Sequence, residues 1–153
     1  MANRHKARQS ALEILYAWHS GGQDSAAIPA LLADRLGEEG RSDQDEAYLR
    51  EMVHGVVAQS GDIDRRISEG VRGRSLKSIA HIEHNVLRLA IWEMINRLEI
   101  PYRVIINEAL ELARTYADEP GRGFINGVLD SLARELRREE VLESQRTQRA
   151  PKR

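Results

Sequence analysis

Apolar residues in this chain recur every three or four positions almost throughout, and nowhere do they alternate over a useful length. That period constrains the fold most, because it draws a stripe down a helix, whereas a half-buried strand needs a period of two. The first stripe is Ala11, Ile14, Leu15 and Trp18, stopped by Gly21-Gly22. A second helix follows Ser25, with Leu31, Leu32 and Leu36 inside, and ends near Gly37. After the polar "GEEGRSDQ", Asp43 and Glu46 read as a capping box for a helix carrying Tyr48/Leu49, Met52/Val53 and Val56/Val57. Asp62 caps a short piece with Ile63 and Ile67, which "VRGRS" breaks.

Beyond Ser75, Leu87, Ala90/Ile91, Met94/Ile95 and Leu98 mark a central buried helix, ended by Pro101. "VIINEALELARTY" is a further amphipathic helix, and "ADEPGRG" reads as a loop. The last helix starts near Phe124 and buries Ile125, Val128, Leu129, Leu132 and Leu136. Gly127 inside it, about 1 kcal/mol worse than alanine, implies a close helix approach. The pattern predicts an all-α bundle of about seven helices, with a break near residues 70–75 dividing it into two halves. One domain over residues 1–141 and a loose basic tail over 142–153 complete the reading.

Charge enters because it is unevenly placed. The formal net charge is −1, yet residues 1–9 carry Arg4, Lys6 and Arg8 and residues 145–153 carry Arg146, Arg149, Lys152 and Arg153, with no acid in either end. The middle therefore holds 16 of the 23 basic residues against all 24 acids. Basic ends on an acidic body suit an anionic partner. With no cysteine in the chain, disulfides and cysteine-ligated metals are excluded. No apolar run approaches a membrane span, and the cytoplasm is the expected compartment.

Enzymatic signatures are missing. His81 and His84 flank Glu83, but a third metal ligand at helical spacing is absent, and solvated histidines at a helix start are the plainer reading. "GRGFING" follows no strand and lacks a phosphate-loop lysine, and no serine sits in a nucleophile elbow. No cofactor is expected. Nucleic acid fares better. On a helical wheel the buried arc of the first helix is centred near Arg8, with Tyr16 at its edge beside His5 and Gln9, where a ring can stack on a base or bury its body and wet its hydroxyl. Arg122 reads as lying just before a helix N-terminus, which favours anions, with Phe124 opening that helix. Arg72, Arg74 and Lys77 form a third basic cluster in the central break.

Four blocks, "ARQSALEILYAW" at 7–18, "IEHNVLRLAIWEM" at 82–94, "PYRVIINEALELA" at 101–113 and "FINGVLDSLA" at 124–133, together resemble the NusB family of bacterial transcription antitermination factors. The resemblance runs from the basic head to about residue 136. It implies an all-α fold of two helical subdomains, and binding of the boxA element of ribosomal RNA operons together with NusE, a small-subunit ribosomal protein. It further implies a place in the elongating RNA polymerase antitermination complex. By position it gives Arg4, His5, Lys6 and Arg8 as an RNA-binding head, Tyr16 and Phe124 as RNA-binding aromatics, and Glu83 as a partner-binding acid. Arg122 supplies the loop charge that the family places one residue later, where this chain has Gly123. A helical interaction module or homodimer without an RNA role is the competing reading.

Overall fold

The computed structural model describes residues 2–149, and every regular element in it is helical. Helix α1 spans Arg4–Ser20, α2 Ile28–Leu36, α3 Glu46–Ala58, α4 Ser60–Gly70, α5 His81–Asn96, α6 Tyr102–Tyr116, α7 Glu119–Leu136 and α8 Arg138–Arg149. Short 3₁₀ turns cover Ser25–Ala27 and Leu76–Ser78. The eight helices meet the expected all-α bundle with one more than the periodicity suggests. No described helix is long and apolar enough to cross a membrane.

Helix α5 is the axis of the molecule. It is buried on every side from His84 to Met94, as a helix enclosed by others must be, and α1, α3, α4, α6 and α7 all pack on it. Gly55 of α3 allows the closest approach, since a β-carbon there would enter the indole of Trp92. The bend at 71–75 runs through Arg72 and Gly73, at φ 24° and 76°, and divides the chain in connectivity. The buried side chains nevertheless form one cluster that spans both halves.

Several boundaries differ from the sequence reading, each for a local reason. The cap of α3 is Asp45, whose carboxylate accepts from Tyr48 N at 3.1 Å, and not Asp43, which faces Lys6 instead. Asp62 lies within the first turn of α4, which begins at Ser60 with only Gln59 between it and α3. Helix α5 stops at Asn96, well before Pro101, and Leu98 beyond it is 71% exposed. Arg137 closes that end, its guanidinium donating to the carbonyls of Met94, Arg97 and Ile100. Pro101 opens α6.

The largest difference is at α7. Asp118 accepts from Gly121 N at 2.8 Å and Pro120 occupies the first turn, so "EPGRG" is helix and Phe124 sits in the second turn. At Gly121 a β-carbon would meet the Glu83 carboxylate and displace it, whereas Gly127 faces open space and mediates no helix approach. Residues 142–149, read as the start of a loose tail, continue α8. Lys152 and Arg153 of that tail lie outside the described residues.

Candidate nucleic-acid interface

The basic head is the first turn of α1. Asn3 caps it, accepting from Lys6 N at 2.9 Å, and its backbone pairs with the 43–45 loop, donating to Asp43 O at 2.8 Å and accepting from Asp45 N at 3.1 Å. Acids on three other elements then meet its cations. Lys6 Nζ donates to Asp43 at 2.8 Å, Arg4 lies 3.6 Å from Asp45 and over the Tyr48 ring at 4.2 Å, and His5 Nδ1 is 2.9 Å from Glu108 of α6. Arg8 is 5% exposed and makes a bidentate pair with Glu93 of α5, at 2.9 and 2.8 Å, to which Tyr48 also donates at 2.6 Å. Burial opposes the Arg8 charge, but the Glu93 carboxylate outweighs it and raises its pKa above the ordinary value. The structure thus buries Arg8 in an ion pair and leaves Arg4, His5 and Lys6 at least partly exposed.

Tyr16 is 45% exposed and stands over a groove of about 520 Å³ shared with Glu13, Ala80, His81, Ile82 and Tyr116. The wheel placed it at the edge of the buried face, and there it sits. Its neighbour His81 meets it edge-on at 6.3 Å and stacks at 3.8 Å on His19. Opposite, the Tyr116 hydroxyl donates to Glu13 at 2.6 Å, and Arg41 pairs with the same carboxylate. These partners hold Glu13 below its usual range against the desolvation of burial, which would raise it.

Behind the histidines a buried network ties α1, α4 and α5. Arg88, 1% exposed, donates through Nε and Nη2 to Asp64 at 2.9 and 2.8 Å, through Nη1 to His19 Nδ1 and Asn85 Oδ1 at 3.2 and 3.0 Å, and through Nη2 to Gln23 at 3.2 Å. His84 Nε2 is 2.8 Å from Asp64. Burial first, then the neighbouring Arg88 charge, pushes His19 down to about 4. Asp64 is held at about 2, because hydrogen bonds from His84 and Arg88 outweigh the desolvation that would raise it. His81 and His84 belong to this network, and no group of three or more metal-ligating side chains occurs among the described residues.

The sign of the pH dependence follows. Between pH 6.5 and about 4 the unfolded chain takes up a proton at position 19 that the folded chain refuses, so stability present above 6.5 is lost on acidification. The Asp64 contribution, present above 3.8, is lost as pH falls toward 2. Urea unfolding across this range is expected to show a falling midpoint. His19→Gln, which keeps an acceptor for Arg88, flattens the upper segment; an unaltered profile in that variant refutes the assignment.

Phe124 packs partly against the core, and the Arg74 guanidinium covers its ring at 4.4 Å. Arg122 lies inside the first turn of α7, not before it, and its Nη1 reaches Ala117 O at 3.4 Å. Glu83 is half-buried against Gly121, joining the start of α5 to that of α7. Sequence reasoning did not find the acids that pair with the head, nor the place of His81 and Tyr116 beside Tyr16. Their partners lie far away in the chain, and no local period signals them.

A family model described as the NusB family matches residues 5–134. A protein of Pseudomonas savastanoi pv. phaseolicola named transcription antitermination protein NusB is 40% identical over 140 residues, 92% of this chain and 82% of its own length. Among solved structures, T. maritima NusB superposes with a TM-score of 0.78 at 28% identity, over 88% of this chain and 94% of that one. A complex of antitermination factors NusB and NusE with double-stranded RNA contains a chain of the same fold, with a TM-score of 0.73 at 24% identity, over 86% of this chain and 96% of that one.

Proposed function

The chain belongs to the NusB family of transcription antitermination proteins, which are not enzymes, and on that premise we propose that it binds single-stranded boxA-type RNA of ribosomal RNA operons jointly with NusE and enters the antitermination complex of elongating RNA polymerase. The observation that carries this reading is Tyr16. A tyrosine 45% exposed at an apolar groove, with a histidine at its edge, offers a ring face to an unstacked base. Phe124 and Arg122 on α7 extend the surface, and Arg4, His5 and Lys6 supply charge from the first turn of α1. The solved NusB–NusE–RNA complex, whose NusB has this fold, supports the choice of NusE as partner. Glu83 is the partner-facing acid of this proposal.

Stacking and core packing are separable by experiment. Tyr16→Ala is expected to weaken RNA binding by about 1–3 kcal/mol with little loss of stability, because the residue is 45% exposed and outside the buried core. Phe124→Ala loses both, since its ring also rests on the core. Linkage then requires NusE to tighten RNA binding and RNA to tighten NusE binding by one factor, with a coupling of about 1–3 kcal/mol. The measurement is a titration of boxA-type and scrambled RNA with the wild-type chain and each variant, alone and with saturating NusE. Full affinity in Tyr16→Ala, or an RNA affinity indifferent to bound NusE, refutes the proposal.

A further inference from the structure

Two groups of cations flank the aromatic groove, and they differ in what they already hold. Arg4, His5, Lys6 and Arg8 each have a carboxylate within 3.6 Å. Among the described residues, no carboxylate lies within the 4.0 Å of an ion pair from Arg72, Arg74 or Lys77, and all three side chains are exposed. A free cation that meets a phosphate releases the counterions of the RNA and gives up nothing, whereas a paired one must surrender its acid or bring that acid's charge along.

The loop that carries these cations is ordered. Val71 anchors it in the core, and Arg74 N donates back to Val71 O at 3.4 Å. Ser75 accepts from Lys77 N at 3.2 Å and Ser78 Oγ donates to Ser75 O at 2.7 Å, closing the turn that follows. Arg72 holds a positive φ without being glycine, a conformation that persists only where the surroundings impose it.

Position adds to charge. Arg74 lies over Phe124, so a base that stacks there takes its place and frees the guanidinium for a phosphate. Lys77 and His81 line one cavity of about 270 Å³, and His81 also borders the Tyr16 groove. A route therefore runs from Tyr16 past His81 and Lys77 to the loop.

Resting on the RNA-binding reading above, we infer that the 72–77 loop, through Arg72, Arg74 and Lys77, makes the principal phosphate contacts of the single-stranded RNA, ahead of the basic head. The test compares wild type, the loop variant Arg72→Ala/Arg74→Ala/Lys77→Ala and the head variant Arg4→Ala/Lys6→Ala. Each is titrated with a fluorescent boxA-type RNA from about 50 to 200 mM salt, with saturating NusE, circular dichroism confirming the helical fold. The loop variant is expected to flatten the plot of log affinity against log salt by about 2, at ~0.7 per contact, and to bind roughly a hundredfold more weakly near 0.1 M salt. The head variant should change the slope by less than half as much, and Arg74→Lys should keep the wild-type slope. A loop variant with the wild-type slope, or a head variant that loses more, overturns the inference while leaving the RNA-binding role intact. Failure of the wild-type chain to bind RNA, even with NusE, overturns the reading on which it rests.

Discussion

Arg8→Ala lowers the folding stability by about 3–5 kcal/mol, measured as the shift in urea unfolding, because it leaves a buried carboxylate without its counterion. Glu93 is 2% exposed, and its other side-chain hydrogen bond comes from the Tyr48 hydroxyl, also buried. The net worth of such a pair is small, since desolvation opposes the Coulomb attraction, but removing one member alone exposes the full penalty. Glu93→Gln in the Arg8→Ala background therefore recovers part of the loss: the amide still accepts from Tyr48 and carries no charge. A surface phosphate contact behaves in the opposite way, losing RNA affinity and leaving stability almost unchanged. An Arg8→Ala protein within 1 kcal/mol of wild type would refute the buried pairing.

Arg88→Ala is the second large effect, expected at about 3 kcal/mol or more. One guanidinium joins Gln23 and His19 at the end of α1, Asp64 in α4 and Asn85 in α5. All five of its N–H groups are engaged, so its loss strands several polar groups at once. Lysine does not substitute, because a point charge cannot donate as a planar fork to both Asp64 oxygens while reaching His19. The variant also has a titration signature. Without Arg88 the Asp64 carboxylate rises from about 2 toward 3.8, so less stability is lost between those values and the acid limb of the unfolding profile flattens. Equal stability of Arg88→Lys and wild type would show the network to be dispensable.

Much of the fold was legible because helical periodicity is a local property. The stripes through α1, α3, α5 and α7 name nearly half of the buried apolar core from local spacing alone. The boundaries that differed are those where two local signals compete. At 118–124, two glycines and a proline read as loop, yet Asp118 as cap and Pro120 in the first turn start a helix there. At 43–46 the spacing to Glu46 points to Asp43 as cap, yet Asp43 lies opposite Lys6 and Asp45 caps the helix instead.

The site was legible in its aromatics and not in its charges. The wheel put Tyr16 at the rim of the buried face from its own helix alone, and the same wheel pointed Arg8 inward, against the family's pattern of a basic head. A helical bundle, its buried stripes and the rings at its surface are local properties, since they depend on neighbours within a turn or two. Which cations are free depends on how the helices pack. Arg8 finds Glu93 and His5 finds Glu108, at separations of 85 and 103 residues, while Arg72, Arg74 and Lys77 have no carboxylate within ion-pair distance among the described residues. Charge pairing reaches across space rather than along the chain, so it becomes readable only once the helices are packed.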